Sequence, residues 1–233
     1  RGKTIVTLFY ESSTRTRVSF EQAGKILSAD VININNKTSS NNKGESLYNT
    51  ALTIQAIGAD VVIIRHPHSG APHFISKHIK TSVINAGDGT HAHPTQALLD
   101  LYTIKKKVGS IEGKNIVLVG DILYSRVARS HMWGLSKLGA NITICGPETL
   151  IPNDFIKGLK NISGHPFSNI KITSNIDEGL KNADIVMALR LQLERQQSGH
   201  LPSLREYSRE FGITEERLKK SNQNVIVMHP GPM

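Results

Sequence analysis

Five consecutive residues, Ser13-Thr14-Arg15-Thr16-Arg17, place three hydroxyls and two guanidinium groups on one short turn. They follow a β-branched run, Thr4 to Leu8, and precede a segment with helical spacing, so the turn leads from a strand into the first turn of a helix. There the opening backbone N–H groups lack partners and the macrodipole is positive, which favours an anion. Hydroxyl donors and the planar forks of arginine match phosphate oxygens. A helix cap needs only one hydroxyl. Five donors on one turn therefore read as a phosphate site.

Polar groups recur after other apolar runs. Arg65-His66-Pro67 follows Asp60–Ile64, and Asn85 to Gln96, with its Gly87-Asp88-Gly89 turn and His93, follows the run at Ser82–Asn85. Gly120-Asp121 and Arg126 follow Val119, Arg190-Leu191-Gln192 follows Asp184–Leu189, and His229-Pro230-Gly231-Pro232 follows Asn224–Met228. Arginine at several of these points suits a ligand with more than one negative charge. Each residue also has a plainer reading: Arg65 as a surface ion-pair partner, His93 as a helix cap, Gly-Asp-Gly as a turn. His66, His68, His73, His91 and His93 invite comparison with zinc sites, but Cys145 has no partner motif, and neither a metal nor any other cofactor is expected.

Alternation is what positions these residues. The runs Thr4–Leu8, Val31–Ile34, Asp60–Ile64 and Ser82–Asn85 are separated by helical patterns such as Phe20/Ala23/Leu27, Leu47/Ala51/Ile54 and Ala71/Phe74/Ile75/His78. From Pro94 to about Lys107, with apolar Ala97, Leu98, Leu101 and Ile104, a longer helix is expected to bridge two halves. The pattern then restarts: strand Asn115–Val119, helix near Ser125–Leu138, strand Asn141–Cys145, a loop rich in Pro and Asn, then strands Ile170–Thr173, Asp184–Leu189 and Asn224–Met228. The expected fold is α/β, two similar-sized domains, each a mostly parallel sheet flanked by helices, with boundaries at 1–106 and 107–233. Ligands of such sheets bind beyond the carboxyl ends of the strands, where the polar residues fall.

Composition narrows the function. The chain has 233 residues, 38% of them hydrophobic, enough for a substantial core. No window reaches the length of a membrane span, the opening residues lack a signal-peptide layout, and the lone Cys145 suits a reducing compartment, so a cytoplasmic protein is expected. A net charge of +9 raises the question of nucleic acid, but the basic residues are dispersed and aromatics are only 5% of the chain, so an anionic small molecule is the better account. Ile116 to Gly120 entering a helix resembles a nicotinamide-binding start, yet the Gly-x-Gly-x-x-Gly turn is missing.

Phe9-Tyr10-Glu11-Ser12-Ser13-Thr14-Arg15-Thr16 resembles the carbamoyl-phosphate signature of the aspartate/ornithine carbamoyltransferase family. Asn85 to Thr90, then His93-Pro94-Thr95-Gln96-Ala97-Leu98-Leu99-Asp100, is similar to the segment of the aspartate-using branch that contacts carbamoyl phosphate through its histidine and glutamine. Lys43 before Gly44-Glu45, Arg65 in Ile-Arg-His-Pro, Arg126, Arg190-x-Gln192 and the closing His-Pro-Gly-Pro follow in family order, so the resemblance runs the whole chain.

The resemblance implies transfer of the carbamoyl group of carbamoyl phosphate to the amine of L-aspartate, an early step of pyrimidine synthesis, with no cofactor. An ornithine enzyme, or a relative using another amine, is the alternative; the His-Cys-Leu-Pro and Ser-Met-Gly loops expected for ornithine are absent. By resemblance, Ser13, Thr14, Arg15, Thr16, Arg65, His93, Gln96 and Pro230 bind carbamoyl phosphate, with Arg15, Thr16, Arg65 and His93 catalytic. Arg65, Arg126, Arg190, Gln192 and Gly231 bind aspartate. Ser39 and Lys43 are supplied by a neighbouring subunit, which implies a homotrimer with shared sites; regulatory chains or a dihydroorotase are further partners the resemblance allows. It also implies a first helix and a last helix that these 233 residues do not contain.

Overall fold

Short β-branched runs and capped helices alternate along the chain because neither can bury its apolar face alone. In the computed structural model the described residues are 2–35, 45–160, 165–193, 195 and 203–231. The first half contains β1 (Thr4–Phe9), α1 (Thr14–Ile26), β2 (Asp30–Asn35), α2 (Leu47–Ala56), β3 (Val61–His66), α3 (Ala71–His78) and β4 (Ser82–Asp88). After α4 (Pro94–Val108) come β5 (Asn115–Val119), α5 (Arg126–Lys137), β6 (Asn141–Cys145), α6 (Asn153–Lys160) and β7 (Lys171–Thr173). The order ends with α7 (Ile176–Leu180), β8 (Ile185–Ala188), α8 (Leu204–Phe211), α9 (Glu215–Leu218) and β9 (Ile226–Met228).

Two sheets result, β2-β1-β3-β4 and β7-β6-β5-β8-β9, and every strand pairing in both is parallel. The chain divides into compact units Arg1–Thr95 and Gln96–Met233. Each buries both faces of its own sheet. In the first unit Val6, Leu8, Val62 and Ile64 pack with Ala51, Ile54 and Ile75 on one face, while Phe9, Ile63 and Ala86 pack with Phe20 on the other. In the second, Ile116, Leu118 and Ile144 meet Met132 and Leu135 of α5 and Leu101 and Ile104 of α4, and Val117, Val119 and Cys145 meet Ile176 and Leu180. Burial within this unit raises the Cys145 thiol to about 12, so it stays protonated.

The α/β architecture expected from the alternation is the one observed. Several details differ. Leu27 and Leu98, counted among the apolar faces of their helices, are exposed at 73% and 64%, and the stripe that α4 buries contains Asp100. The loop expected after Cys145 holds a 3-10 turn, Glu148–Leu150, and then α6. Pro147 and Pro152 lie at the starts of these elements, where a fixed φ assists the first turn rather than ending a helix. Helices α7, α8 and α9 were not expected; each begins with an Asn, Ser or Thr whose side chain accepts backbone N–H bonds.

Candidate active site

In the first unit the strand order reverses between β1 and β3, and the candidate residues lie at the carboxyl ends of these two strands and of β4. Phe9 pairs with Arg65, and the Tyr10 N–H donates to the Arg65 carbonyl at 2.8 Å, so the turn into α1 starts beside Arg65. Ser13 is the N-cap of α1. Its hydroxyl donates to Thr16 Oγ1 at 2.8 Å and accepts from the Thr16 N–H at 3.4 Å. One hydroxyl thus does the capping, and Thr14 and Arg15 on the first turn are exposed to solvent.

Arg65 is the buried centre of this cluster, at 8% exposure. Its Nη1 donates to the Ala86 carbonyl at 3.1 Å and lies 3.4 Å from His93 Nε2; its Nη2 meets Glu11 Oε1 at 3.3 Å. A guanidinium held from three sides is a fixed charge, and fixing it before a ligand arrives is what makes it electrostatically effective. The ion-pair reading of Arg65 and the ligand reading are therefore compatible: Glu11 positions the arginine. His93 Nδ1 lies 3.4 Å from Thr95 Oγ1.

The loop carrying His93 is organised by Asp88, itself 1% exposed. One carboxylate oxygen accepts from Asn85 Nδ2 and the Ala92 N–H, the other from the Gly70 N–H and His91 Nδ1, all at 2.7 to 3.1 Å. Next to it Gly89 has φ +50°, and a Cβ there would lie 2.5 Å from Ser69 Oγ and 2.8 Å from the Ser69 nitrogen. Only glycine fits this approach. His91 is spent on Asp88, and among the described residues no three His, Cys, Asp or Glu side chains form a metal cluster.

In the second unit the reversal lies between β5 and β8. Asp121, fully buried after β5, accepts from the Tyr124 N–H at 3.0 Å and the Gln192 N–H at 3.1 Å, tying the loop after β8 to the turn before α5. Arg190 Nη2 donates to Gln192 Oε1 at 3.1 Å. Ser125 caps α5, and Arg126 is its first residue, 5% exposed. Tyr207 of α8 has its hydroxyl pushed up to about 12 by burial first, then by the charge of Asp121, so it stays protonated. Near the chain's end the Gly231 N–H donates to His229 Nδ1 at 2.9 Å, which curls the loop at Pro230 and Gly231. Ser39, Lys43 and Pro232 lie outside the described residues.

Thus Ser13 with Thr16, Arg65 with His93, and Arg190 with Gln192 are adjacent in space. Gln96 makes its hydrogen bond within the second unit: its Nε2 donates to Asp100 Oδ2 at 3.1 Å. The sequence names Asp88 and Asp121 among the strand-end polar groups and Glu11 and Asp100 within the family motifs, but not their supporting role. Their signal was available, an acid inside or beside an apolar run, since a buried carboxylate must be answered by donors.

The chain resembles known proteins along its whole length. Residues 1–106 match the profile of the aspartate/ornithine carbamoyltransferase carbamoyl-P binding domain, and residues 112–233 match that of the Asp/Orn binding domain. The chain belongs to the aspartate/ornithine carbamoyltransferase family. Within it, the chain is 56% identical to the aspartate carbamoyltransferase catalytic subunit of Roseiflexus sp. (strain RS-1) over all of its own length and 71% of that relative, and 53% identical to that of Heliobacterium modesticaldum, covering 72% of it. Among solved structures of this family, Trypanosoma cruzi aspartate transcarbamoylase in complex with N-(phosphonacetyl)-L-aspartic acid is 33% identical with a TM-score of 0.87, over all of this chain and 73% of that one. Ornithine carbamoyltransferase from Pyrococcus furiosus is 27% identical with a TM-score of 0.85, over all of this chain and 73% of that one. Fold alone does not separate the two acceptors. Among the described residues no helix is long and apolar enough to cross a membrane.

Proposed function

We infer that this chain transfers the carbamoyl group of carbamoyl phosphate to the amine of L-aspartate, giving N-carbamoyl-L-aspartate and phosphate. The observation that carries the reading is the cluster at the carboxyl ends of β1, β3 and β4, where a hydroxyl-rich helix start, Arg65 and His93 converge. The curated relatives named as aspartate carbamoyltransferase catalytic subunits, at 53–56% identity, support it over the ornithine alternative.

In this reading residues 1–106 bind carbamoyl phosphate and residues 107–233 aspartate. Ser13, Thr14, Arg15 and Thr16 hold the phosphate, with the positive end of α1 behind them. Thr16, Arg65 and His93 stabilise the carbonyl oxygen as the amine nitrogen attacks the carbon and negative charge builds up, an effect commonly worth several kcal/mol. The C–O bond to phosphate then breaks, and the departing phosphate is basic enough to accept the amine proton. No covalent nucleophile is required. Gln96 and the Pro230 carbonyl accept from the carbamoyl NH2 group. Arg126 and Arg190, with Arg65, Gln192 and Gly231, hold the two carboxylates of aspartate. Holding two anions together supplies much of the remaining rate.

The deciding assay offers carbamoyl phosphate with L-aspartate or L-ornithine and follows phosphate release and product mass. Turnover confined to aspartate is expected; turnover confined to ornithine overturns the reading.

A further inference from the structure

The stripe that α4 buries in its own unit consists of Ala97, Leu101, Ile104 and, at 4% exposure, Asp100. The carboxylate does not stand alone there. Asp100 Oδ2 lies 3.0 Å from Nε2 of His131, which projects from α5 and is completely buried. The other ring nitrogen of His131, Nδ1, is 2.8 Å from the carbonyl oxygen of Val127, one helical turn back. A carbonyl only accepts, so Nδ1 carries a proton. His131 Nε2 closes on Asp100 Oδ2 as a near charge contact rather than an aligned hydrogen bond, and the hydrogen bond this Oδ2 accepts comes from Gln96 Nε2 at 3.1 Å.

This network fixes which way the Gln96 amide points. With its oxygen turned inward, Gln96 would set two oxygens against each other in a buried place; with its nitrogen turned inward, it makes a charge-assisted hydrogen bond. The amide oxygen is therefore the end presented to a ligand, and it recognises an N–H donor. We propose that Asp100 and His131 are positioning residues that lock the Gln96 amide with its oxygen outward, so that the site selects a carbamoyl NH2 over an acyl group without N–H. Neither touches the substrate. The inference rests on the proposed role of Gln96 and adds the device that gives it direction. Helix α5 is well placed to carry His131, because Gly134 on the next turn lets the backbone of α5 approach Leu101 of α4; a Cβ there would lie 2.7 Å from Leu101 Cδ1.

The test is calorimetric titration of the intact protein with carbamoyl phosphate, with acetyl phosphate, in which a methyl replaces the NH2, and with inorganic phosphate. The native protein should prefer carbamoyl over acetyl phosphate. Asp100→Asn and His131→Asn should lower that preference by about three- to tenfold, the worth of one directed hydrogen bond, while inorganic phosphate binds as before. Adding Gln96→Ala to Asp100→Asn should reduce the preference no further, because Asp100 acts through Gln96. Equal weakening of all three ligands would mean a merely structural pair and overturns the inference, as does an unchanged preference or full additivity. If Asp100→Asn does not fold, His131→Asn, combined with Gln96→Ala, decides the same question. A native protein that turns over carbamoyl phosphate with aspartate while the variants keep its preference sinks this inference alone; a native protein that binds no carbamoyl phosphate sinks the proposed function, and the inference with it.

Discussion

Arg15, just after β1, and His66, at the end of β3, show how differently two polar residues at neighbouring strand ends are used. Arg15 is exposed on the first turn of α1, and among the described residues no hydrogen bond or ion pair engages it. Arg15→Ala should therefore leave the thermal melt unchanged and lower kcat/KM roughly 100-fold or more, the loss of two hydrogen bonds between charged groups. Steady-state kinetics beside a circular dichroism melt checks both. His66, by contrast, is structural. Its ring packs against Tyr10 with centroids 4.9 Å apart, and its Nδ1 accepts from the His68 N–H at 3.0 Å, which a protonated ring cannot do. Burial first, and the neighbouring His68 second, hold its pKa below the ordinary value of 6.5. As pH falls, the unfolded chain takes up this proton first. The stability that the neutral ring contributes is complete above 6.5 and is lost as pH falls from there toward the lower folded value. His66→Asn, whose Oδ1 can accept the same N–H, should flatten the decline in melting temperature between pH 7 and pH 5.

Among the elements, the turn after β4 is the most tightly specified, because Asp88 gathers donors from both of its flanks and Gly89 sits where a Cβ has no room. Gly89→Ala should cost on the order of 1–3 kcal/mol and weaken carbamoyl phosphate binding, since the displaced turn carries His93. Urea unfolding and ligand titration on the one variant measure the two effects. How far such elements could be foreseen depended on what the local pattern encodes. Strands β5 and β6 match their expected limits to the residue, since an apolar run between turn residues has no competing reading. Strands β3 and β4 run on into their polar ends, to His66 and Asp88, because ladder pairing continues past the last apolar residue. Helix α8 had a visible signature, Ser203 three residues before Glu206, and the Ser203 hydroxyl does accept from the Glu206 N–H at 3.1 Å. The segment it opens, Leu204 to Phe211, is mostly charged and polar and lacks a long apolar stripe. At the site, residue types marked Ser13, Arg65 and His93, but nothing local could place Glu11 against Arg65 or His131 against Asp100. Those partners meet only once the elements pack.

For the whole molecule, the two units with separate cores meet at Thr95 and Gln96, whereas the proposed division of chemistry falls at 106 and 107 and gives Gln96 and Pro230 of the second unit to carbamoyl phosphate and Arg65 of the first also to aspartate. The family resemblance leads us to propose a trimer with shared sites that draws on Ser39 and Lys43, which the sequence places in an Asn-rich, polar segment. Mixing Lys43→Ala chains, each inactive alone, with inactive Arg15→Ala chains should restore part of the activity, because random assembly leaves some sites carrying neither defect. The recovery is read in the aspartate assay alongside proof of subunit exchange by native mass spectrometry. Exchange without recovery rules out a shared site.

The all-parallel order β7-β6-β5-β8-β9 also sets the hazards of making this chain. β5 is the middle strand of its sheet, yet its two neighbours are synthesised far apart: β6 follows after one helix, β8 only at Ile185–Ala188. On the ribosome, Val117 and Val119, each 2% exposed in the finished fold, stand on a strand with one edge open until that late segment emerges. An open, apolar edge is a template for pairing with other chains. The nascent protein is therefore most in need of shielding from its neighbours between completion of β6 and arrival of β8.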